Sequence, residues 1–590
     1  MVYSLSMTHL GENIIKKDLS KRNVAPNLVD YPSFYEKFSW KDAEREIDFF
    51  EDGTLNAAYN AVDRHAIGEK KDKNAILFEG LDGKKESYTY GDLSKLSNKF
   101  ANVITSQGIE KGDRVFVFLP TIPERYVSFL GILKTGAIVG TLFSAFQEAA
   151  LLDRLLDSNA KMVITTEALF PRIEKVWKDL PNLEKVIIVE RGSVTHLKGD
   201  KFVTYEKEMD KASEEFSVVH MQKEDLSYML YTSGTTGKPK GVVHAHYDIL
   251  QAMMTTKYVL DLHDEDIYWC TADTGWVTGV VYGVLGPFCL GITSVIFEGR
   301  FTPAAWYTIL QDYRVTVWYT APTAIRMLMA SDVQPKEFKL DSLRELYSVG
   351  EPLNPEAIWW GLEAFGLPFH DTWWQTELGS MAIVNYPSMD IKPGSMGKPF
   401  PGVIAGVVDK EGKEVKQGEI GNLVIKPETD PALMKQIWNN KEKFDSYFEN
   451  GWYTSGDKAF KDADGYFWFV GRADDLINTS GERVGPFEVE SSLVEYPDVI
   501  EAGVIGKPDA MRGEIIKAFV VLKPGVEGTE ELKGKIAQYV KKNLAGHAYP
   551  REIEFIDKLP KTRSGKIMRR LLKAKELGLP IGDTSTLEDY

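Results

Sequence analysis

Residues 231–244, YTSGTTGKPKGVVH, lie between an apolar run, LSYML, and a segment whose pattern predicts an amphipathic helix, HAHYDILQAMM. Gly234, Gly237 and Gly241 let the backbone turn so that its N–H groups can approach an anion. Thr232, Ser233, Thr235 and Thr236 add hydroxyl donors, and Lys238 and Lys240 add positive charge. The loop is not a Walker A motif: Gly234 and Gly237 are too close together, and Lys238 is followed by Pro239 rather than Ser or Thr. A nucleotide phosphate is the expected ligand, and a P-loop motor or kinase is disfavoured.

Around this loop, short β-rich runs alternate with helical patterns: RVFVFLP at 114–120, KMVITT at 161–166, KVIIVE at 185–190, TSVIFEG at 293–299 and VTVWYTAP at 315–322. That rhythm predicts α/β layers with mostly parallel sheets. From about residue 400 the texture changes. VIAGVVDKEGKEV and GNLVIKP predict strands joined by a DKEGK turn, hence a small, more antiparallel β subdomain. Beyond residue 474 the order helix, strand, strand, helix and basic segment predicts a compact α+β unit. The expected organisation is a large N-terminal α/β domain, 1–473, and a small mobile α+β C-terminal domain, 474–590.

A chain of 590 residues with net charge −16 is too long for one core and repels polyanions, so neither nucleic acid nor a membrane is an expected partner. Residues 275–297 carry no charge, but Gly286-Pro287 is expected to break them and Gly291 to open a buried strand, giving soluble core. His244 and His246 have no acidic or cysteine partners at ligand spacing and are read as packing residues. Two cysteines, Cys270 and Cys289, in apolar contexts exclude a disulfide framework and a metal-thiolate cluster. With an amino terminus that lacks a secretory apolar run, a cytoplasmic location is expected.

Three further segments accompany the opening loop in order: DTWWQTELG at 371–379, YTSGDKAFKDADGYFWFVGRADD at 453–475, and LPKTRSGKIMRR at 559–570. Together the four segments resemble the adenylate-forming superfamily. FFEDGTLNAAYNAVDRH, TADTGWVTG, SVGEPLNPEA and DTWWQTE resemble its AMP-forming, short-chain acyl-CoA synthetase branch. The resemblance covers about 50–575. It implies an acid–CoA ligase: a carboxylate, acetate first and then propionate or a small hydroxy acid, attacks the α-phosphate of Mg·ATP, and CoA then displaces AMP. An adenylation enzyme loading a carrier protein, and a non-catalytic nucleotide-binding relative, are the alternatives. No carrier domain is expected after Lys566, and Lys566, Asp457 and Glu377 are all present.

Several roles follow from the resemblance. Thr232, Ser233, Gly234, Thr235, Thr236 and Lys240 bind phosphate. Gly350, Glu351 and Pro352 form the adenine turn. Asp371, Thr372, Trp373, Trp374, Gln375 and Thr376 continue the nucleotide site, with Thr376 at the α-phosphate and Glu377 a Mg²⁺ ligand. Asp457 takes the ribose hydroxyls, Arg472 supports the same sugar and Arg483 approaches the phosphates. Lys566 is the mobile catalytic lysine, stabilising the pentavalent transition state. It is also an acetylation target, implying a lysine acetyltransferase and deacetylase as partners. Asp474 is the hinge. Trp374 closes the acyl pocket with Val277, Thr278 and Val349, so that its bulk excludes long chains. Thr278, Ser480, Gly481, Lys541 and Arg172 are the CoA candidates. An asparagine that the family often places after FEG is absent from FEGRFTPAAW.

Overall fold

The computed structural model describes residues 14–191, 201–233, 239–479, 482–509, 511–545, 547–562, 566–581, 584 and 587, with the side chains of Ser233 and Arg483 excepted. Two large sheets dominate. In the first, Leu226–Ser233, Ile138–Thr141, Arg114–Phe118, Met162–Thr166, Lys185–Val189 and Phe202–Thr204 run parallel in that spatial order. Pro239–Ala245 and then Gln436–Ile437 extend it antiparallel beyond Leu226–Ser233. The strands are almost wholly buried, as parallel strands covered on both faces by helices must be.

In the second sheet, Phe369–Trp373, Glu345–Val349, Val317–Thr320, Ile267–Cys270, Thr293–Phe297 and Asn74–Glu79 are parallel neighbours, with short antiparallel strands at both edges. All five β-rich runs expected before residue 400 are strands of these two sheets. A third sheet is antiparallel throughout: Ala405–Val408, Gly421–Ile425, Trp452–Lys461, Phe448–Glu449 and Phe467–Arg472. The DKEGK turn falls after Val408, whose backbone bridges to Glu414 before the chain reaches Gly421. A fourth sheet joins Ile477–Thr479, Glu482–Val484, Val499–Asp509, Gly513–Leu522 and Glu552–Phe555. The helices Pro486–Val494 and Glu530–Asn543 supply Val489, Leu493, Ile536 and Val540 to its core.

Two local expectations are corrected. Gly286-Pro287 does not break the apolar run: Val277–Val280, a π-helical turn at Val281–Leu285 and Gly286–Leu290 form consecutive helical segments, followed by the strand Thr293–Phe297. The wide turn ahead of Pro287 accommodates a residue with no N–H to donate. Gly286 serves close packing, since a Cβ there would lie 2.1 Å from Thr256 Oγ1. The helix after the opening loop, Ile249–Tyr258, is not amphipathic: every residue from Ile249 to Thr256 is buried, because it packs between other helices under the sheets. Among the described residues no helix is long and apolar enough to cross a membrane.

Candidate active site

The parallel strands Glu345–Val349 and Phe369–Trp373 end side by side and deliver the Gly350–Pro352 turn and Trp374–Gln375 to one cleft, the usual place for a ligand in a parallel sheet. The antiparallel sheet closes it with Asp457 and Arg472. These two are cross-strand partners, and Arg472 NH1 donates to Asp457 Oδ1 at 2.9 Å. The other carboxylate oxygen accepts from Trp373 Nε1 at 3.0 Å and Gln375 Nε2 at 3.1 Å. Tyr453 OH in turn donates to Gln375 Oε1 at 2.8 Å. Burial raises the Asp457 carboxyl above its ordinary value, with Arg472 opposing the shift. A buried carboxylate with fixed orientation suits a vicinal diol.

Asp371 is buried in the same wall. Its carboxyl is pushed up to about 7 by burial, and Oδ1 has no hydrogen-bond partner. Lys566 lines the cleft with Ile567 and Arg569. Its ammonium is held below the usual lysine range, first by desolvation and then by the charge of Arg472, against the pull of Asp457. The residue surface remains open at the cleft mouth, so this desolvation is partial.

Thr232 and Lys240 face each other across paired strands. Lys240 Nζ is 2.7 Å from Glu377 Oε1. Tyr447 OH donates to the same oxygen at 3.1 Å and also bonds Lys240. Burial would raise Glu377, but the charge and hydrogen bond of Lys240, with the hydroxyl of Tyr447, outweigh it and hold the carboxyl below its ordinary value. His244 Nε2 lies 2.9 Å from the Thr376 carbonyl, and its Nδ1 is 2.8 Å from Asp248, so the histidine orients the Thr376–Leu378 turn. One ionised carboxylate held by Lys240 fits Mg²⁺, which is commonly held by one or two carboxylates plus substrate phosphates. Among the described residues no group of three or more His, Cys, Asp or Glu forms a separate metal site.

Trp374 packs edge-on against Tyr282, with ring centroids 5.1 Å apart. Tyr282 is anchored by its hydroxyl, which accepts from the Met381 N–H at 2.8 Å. The helical run that begins with Val277 and Thr278 therefore abuts Trp374. Val277, Thr278 and Val349 are buried in the core and do not line the open cleft.

Two of the CoA candidates, Arg172 and Lys541, make their contacts away from the cleft. Arg172 NH1 donates to the Ser144 and Phe146 carbonyls, at 2.8 and 2.9 Å, clamping a turn. Lys541 lies over the Tyr549 ring at 5.2 Å. Neither residue lines the cleft. Gly234, Thr235, Thr236, Ser480 and Gly481, with the side chains of Ser233 and Arg483, lie outside the described residues. Asp474 is exposed, 3.8 Å from Arg472 Nε. Tyr447, Tyr453, Tyr282, His244 and Arg326 were not predicted as site residues. Their site partners, Glu377, Gln375, Trp374, Thr376 and Glu351, are distant in sequence, and only the tertiary packing of strands, helices and turns brings them together.

The fold and this cleft define a nucleotide-dependent enzyme, and the chain belongs to the AMP-binding enzyme family: that family's model matches residues 63–438, and its C-terminal-domain model matches 488–566. The chain is 54% identical to the acetyl-coenzyme A synthetase of Bacillus subtilis over 95% of this chain and 98% of the relative. It is 43% identical to that of Methanothrix thermoacetophila over 91% and 86%. Among solved structures it is similar to a Brucella canis acyl-CoA synthetase, with TM-score 0.72, 36% identity and coverage of 93% and 99%. It also resembles the anthranilate CoA ligase AuaEII in complex with anthranoyl-AMP, with TM-score 0.81, 31% identity and coverage of 89% and 98%.

Proposed function

We propose that the protein is an ATP- and Mg²⁺-dependent acetate–CoA ligase that works through acetyl-adenylate. The observation that carries this reading is the meeting of four groups at one cleft: the Gly350–Pro352 turn, the Asp457–Arg472 pair, Lys566 and the Trp374 wall. The near full-length similarity to acetyl-coenzyme A synthetases supports acetate as the acid.

In the first step an acetate oxygen bonds to the α-phosphorus, and the bond to the bridging oxygen breaks, releasing pyrophosphate. Lys566 neutralises charge on the α-phosphoryl oxygens and the incoming carboxylate, positioning as much as polarising. Asp457 and Arg472 fix the ribose, Thr376 contacts the α-phosphate, and Lys240 leaves Glu377 for the phosphates, freeing that carboxylate for Mg²⁺. Bound Mg²⁺ supplies charge neutralisation of the phosphates. In the second step the CoA thiol, losing its proton, attacks the acetyl carbon and AMP leaves. Trp374 limits chain length, although one methylene changes binding by only about 1–3 kcal/mol, so propionate overlaps with acetate.

The domains divide at 473/474, with Asp474 as the hinge, and the enzyme works in the cytoplasm. Lys566 is the site at which an acetyltransferase and a deacetylase would switch the first step. The test is acetate-dependent exchange of labelled pyrophosphate into ATP. Exchange in the parent and its loss in Lys566→Ala are expected; retention in the variant would remove Lys566 from the mechanism.

A further inference from the structure

Arg326, on the helix Pro322–Met329, is buried where the large sheets meet the C-terminal elements. Its NH2 donates to Glu351 Oε2 at 2.8 Å, and Thr323 Oγ1 donates to Glu351 Oε1 at 2.7 Å, so the nucleotide turn is gripped from behind. Its Nε is 3.6 Å from Glu501 Oε1, on the strand Val499–Asp509 of the C-terminal sheet. Both oxygens of Glu501 accept from the buried Lys561 ammonium. Lys561 and Ile567 pair as an antiparallel bridge, and the Thr562 N–H donates to the Lys566 carbonyl at 2.8 Å. The backbone beside Lys561 is thus bonded to the backbone of Lys566.

The chain Glu351–Arg326–Glu501–Lys561 therefore runs from the nucleotide turn to the backbone that carries Lys566. A parallel link crosses the same seam: Arg326 NH1 donates to Asn354 Oδ1 at 3.4 Å, and Asn354 Nδ2 donates to Ser491 Oγ at 2.8 Å. Well-packed apolar residues would hold such a seam at least as firmly as buried ions, so stability alone does not account for this chain. What ions add is orientation, because a guanidinium hydrogen-bonded to Glu351 and 3.6 Å from Glu501 favours placements that keep both carboxylates beside it.

We propose that Arg326 and Glu501 are positioning residues that set Lys566 against the nucleotide, and that they act on adenylate formation and not on thioester formation. The proposal rests on the ligase reading above and assigns its first step a control point. Only that step creates a pentavalent phosphorus for Lys566 to stabilise.

The test separates the two steps in the full-length chain. Arg326→Met and Glu501→Gln, the latter nearly isosteric, are assayed for acetate-dependent ATP–pyrophosphate exchange. They are then assayed for CoA-dependent consumption of preformed acetyl-adenylate. Exchange is expected to fall about a hundredfold in kcat in both, the scale of losing one partner of a buried charge pair, with KM for ATP within about threefold in Glu501→Gln, which leaves the grip of Arg326 on Glu351 in place. Consumption of acetyl-adenylate by Glu501→Gln is expected to stay within about threefold of the parent. In Glu501→Gln, equal losses in both steps, unchanged exchange, or an effect confined to the KM for ATP would overturn the proposal. A parent without acetate-dependent exchange would instead overturn the ligase reading and this proposal with it.

Discussion

Glu377 illustrates how much of the cleft depends on single groups. Lys240 and Tyr447 share its Oε1, so the carboxylate is ionised and oriented before any substrate arrives. Glu377→Gln keeps the shape but removes the charge, and adenylation is expected to fall by more than tenfold, with a weaker response to added Mg²⁺. Tyr447→Phe removes one hydrogen bond to an ionised group, worth about 1.5–3 kcal/mol, and is expected to cost roughly 10- to 100-fold in the same exchange assay. Asp430 makes a separate prediction. It is buried, neither carboxylate oxygen has a hydrogen-bond partner, and burial pushes its carboxyl up to about 8. The folded chain holds this proton while the unfolded chain releases it near pH 4, so the residue subtracts stability progressively from about pH 4 to pH 8 and no further beyond. In thermal melts, Asp430→Asn should gain on the parent across that window and then hold a constant lead. A lead that did not change with pH would contradict the shift.

At the scale of elements, the site is a product of turns held at strand ends. The Thr376–Leu378 turn closes with Gly379 at φ +68°, where a Cβ would sit 2.3 Å from the Ala432 carbonyl oxygen and 2.8 Å from the His244 ring. Gly379→Ala is expected to cost roughly 1–3 kcal/mol from backbone strain alone, with the clash adding to it. It should lower the thermal midpoint and disturb Thr376 and Glu377 together. An unchanged melt and unchanged exchange would show that the turn is not built as described.

How far these elements were legible varies for a physical reason. RVFVFLP and KVIIVE read as buried strands because parallel strands need apolar side chains on both faces, and both are strands. DTWWQTELG and the YTSGD segment were legible as site segments through resemblance, and Asp457 does meet Arg472 in the cleft. Gly286-Pro287 misled because a dipeptide rule cannot register Thr256 packed against the glycine. The pairing of Lys240 with Glu377, 137 residues apart, and of Arg326 with Glu501 depends on how sheets and domains dock, which no local spacing encodes.

For the whole molecule, the layout explains the chemistry. Two large, mostly parallel sheets supply a buried frame, a small antiparallel sheet adds the Asp457–Arg472 pair, and the C-terminal unit brings Lys566 to the cleft they form. Against a net charge of −16, the molecule keeps cations at and beside this cleft, Arg472 and Lys566 lining it and Lys240 on Glu377. The most direct measurement is AMP release with Mg·ATP and CoA across formate, acetate, propionate, butyrate, 3-hydroxypropionate, hexanoate and benzoate. Turnover highest with acetate, lower with propionate and negligible with hexanoate and benzoate is the predicted result. A maximum at hexanoate or benzoate would contradict Trp374 as the end of the acyl pocket and acetate as the substrate.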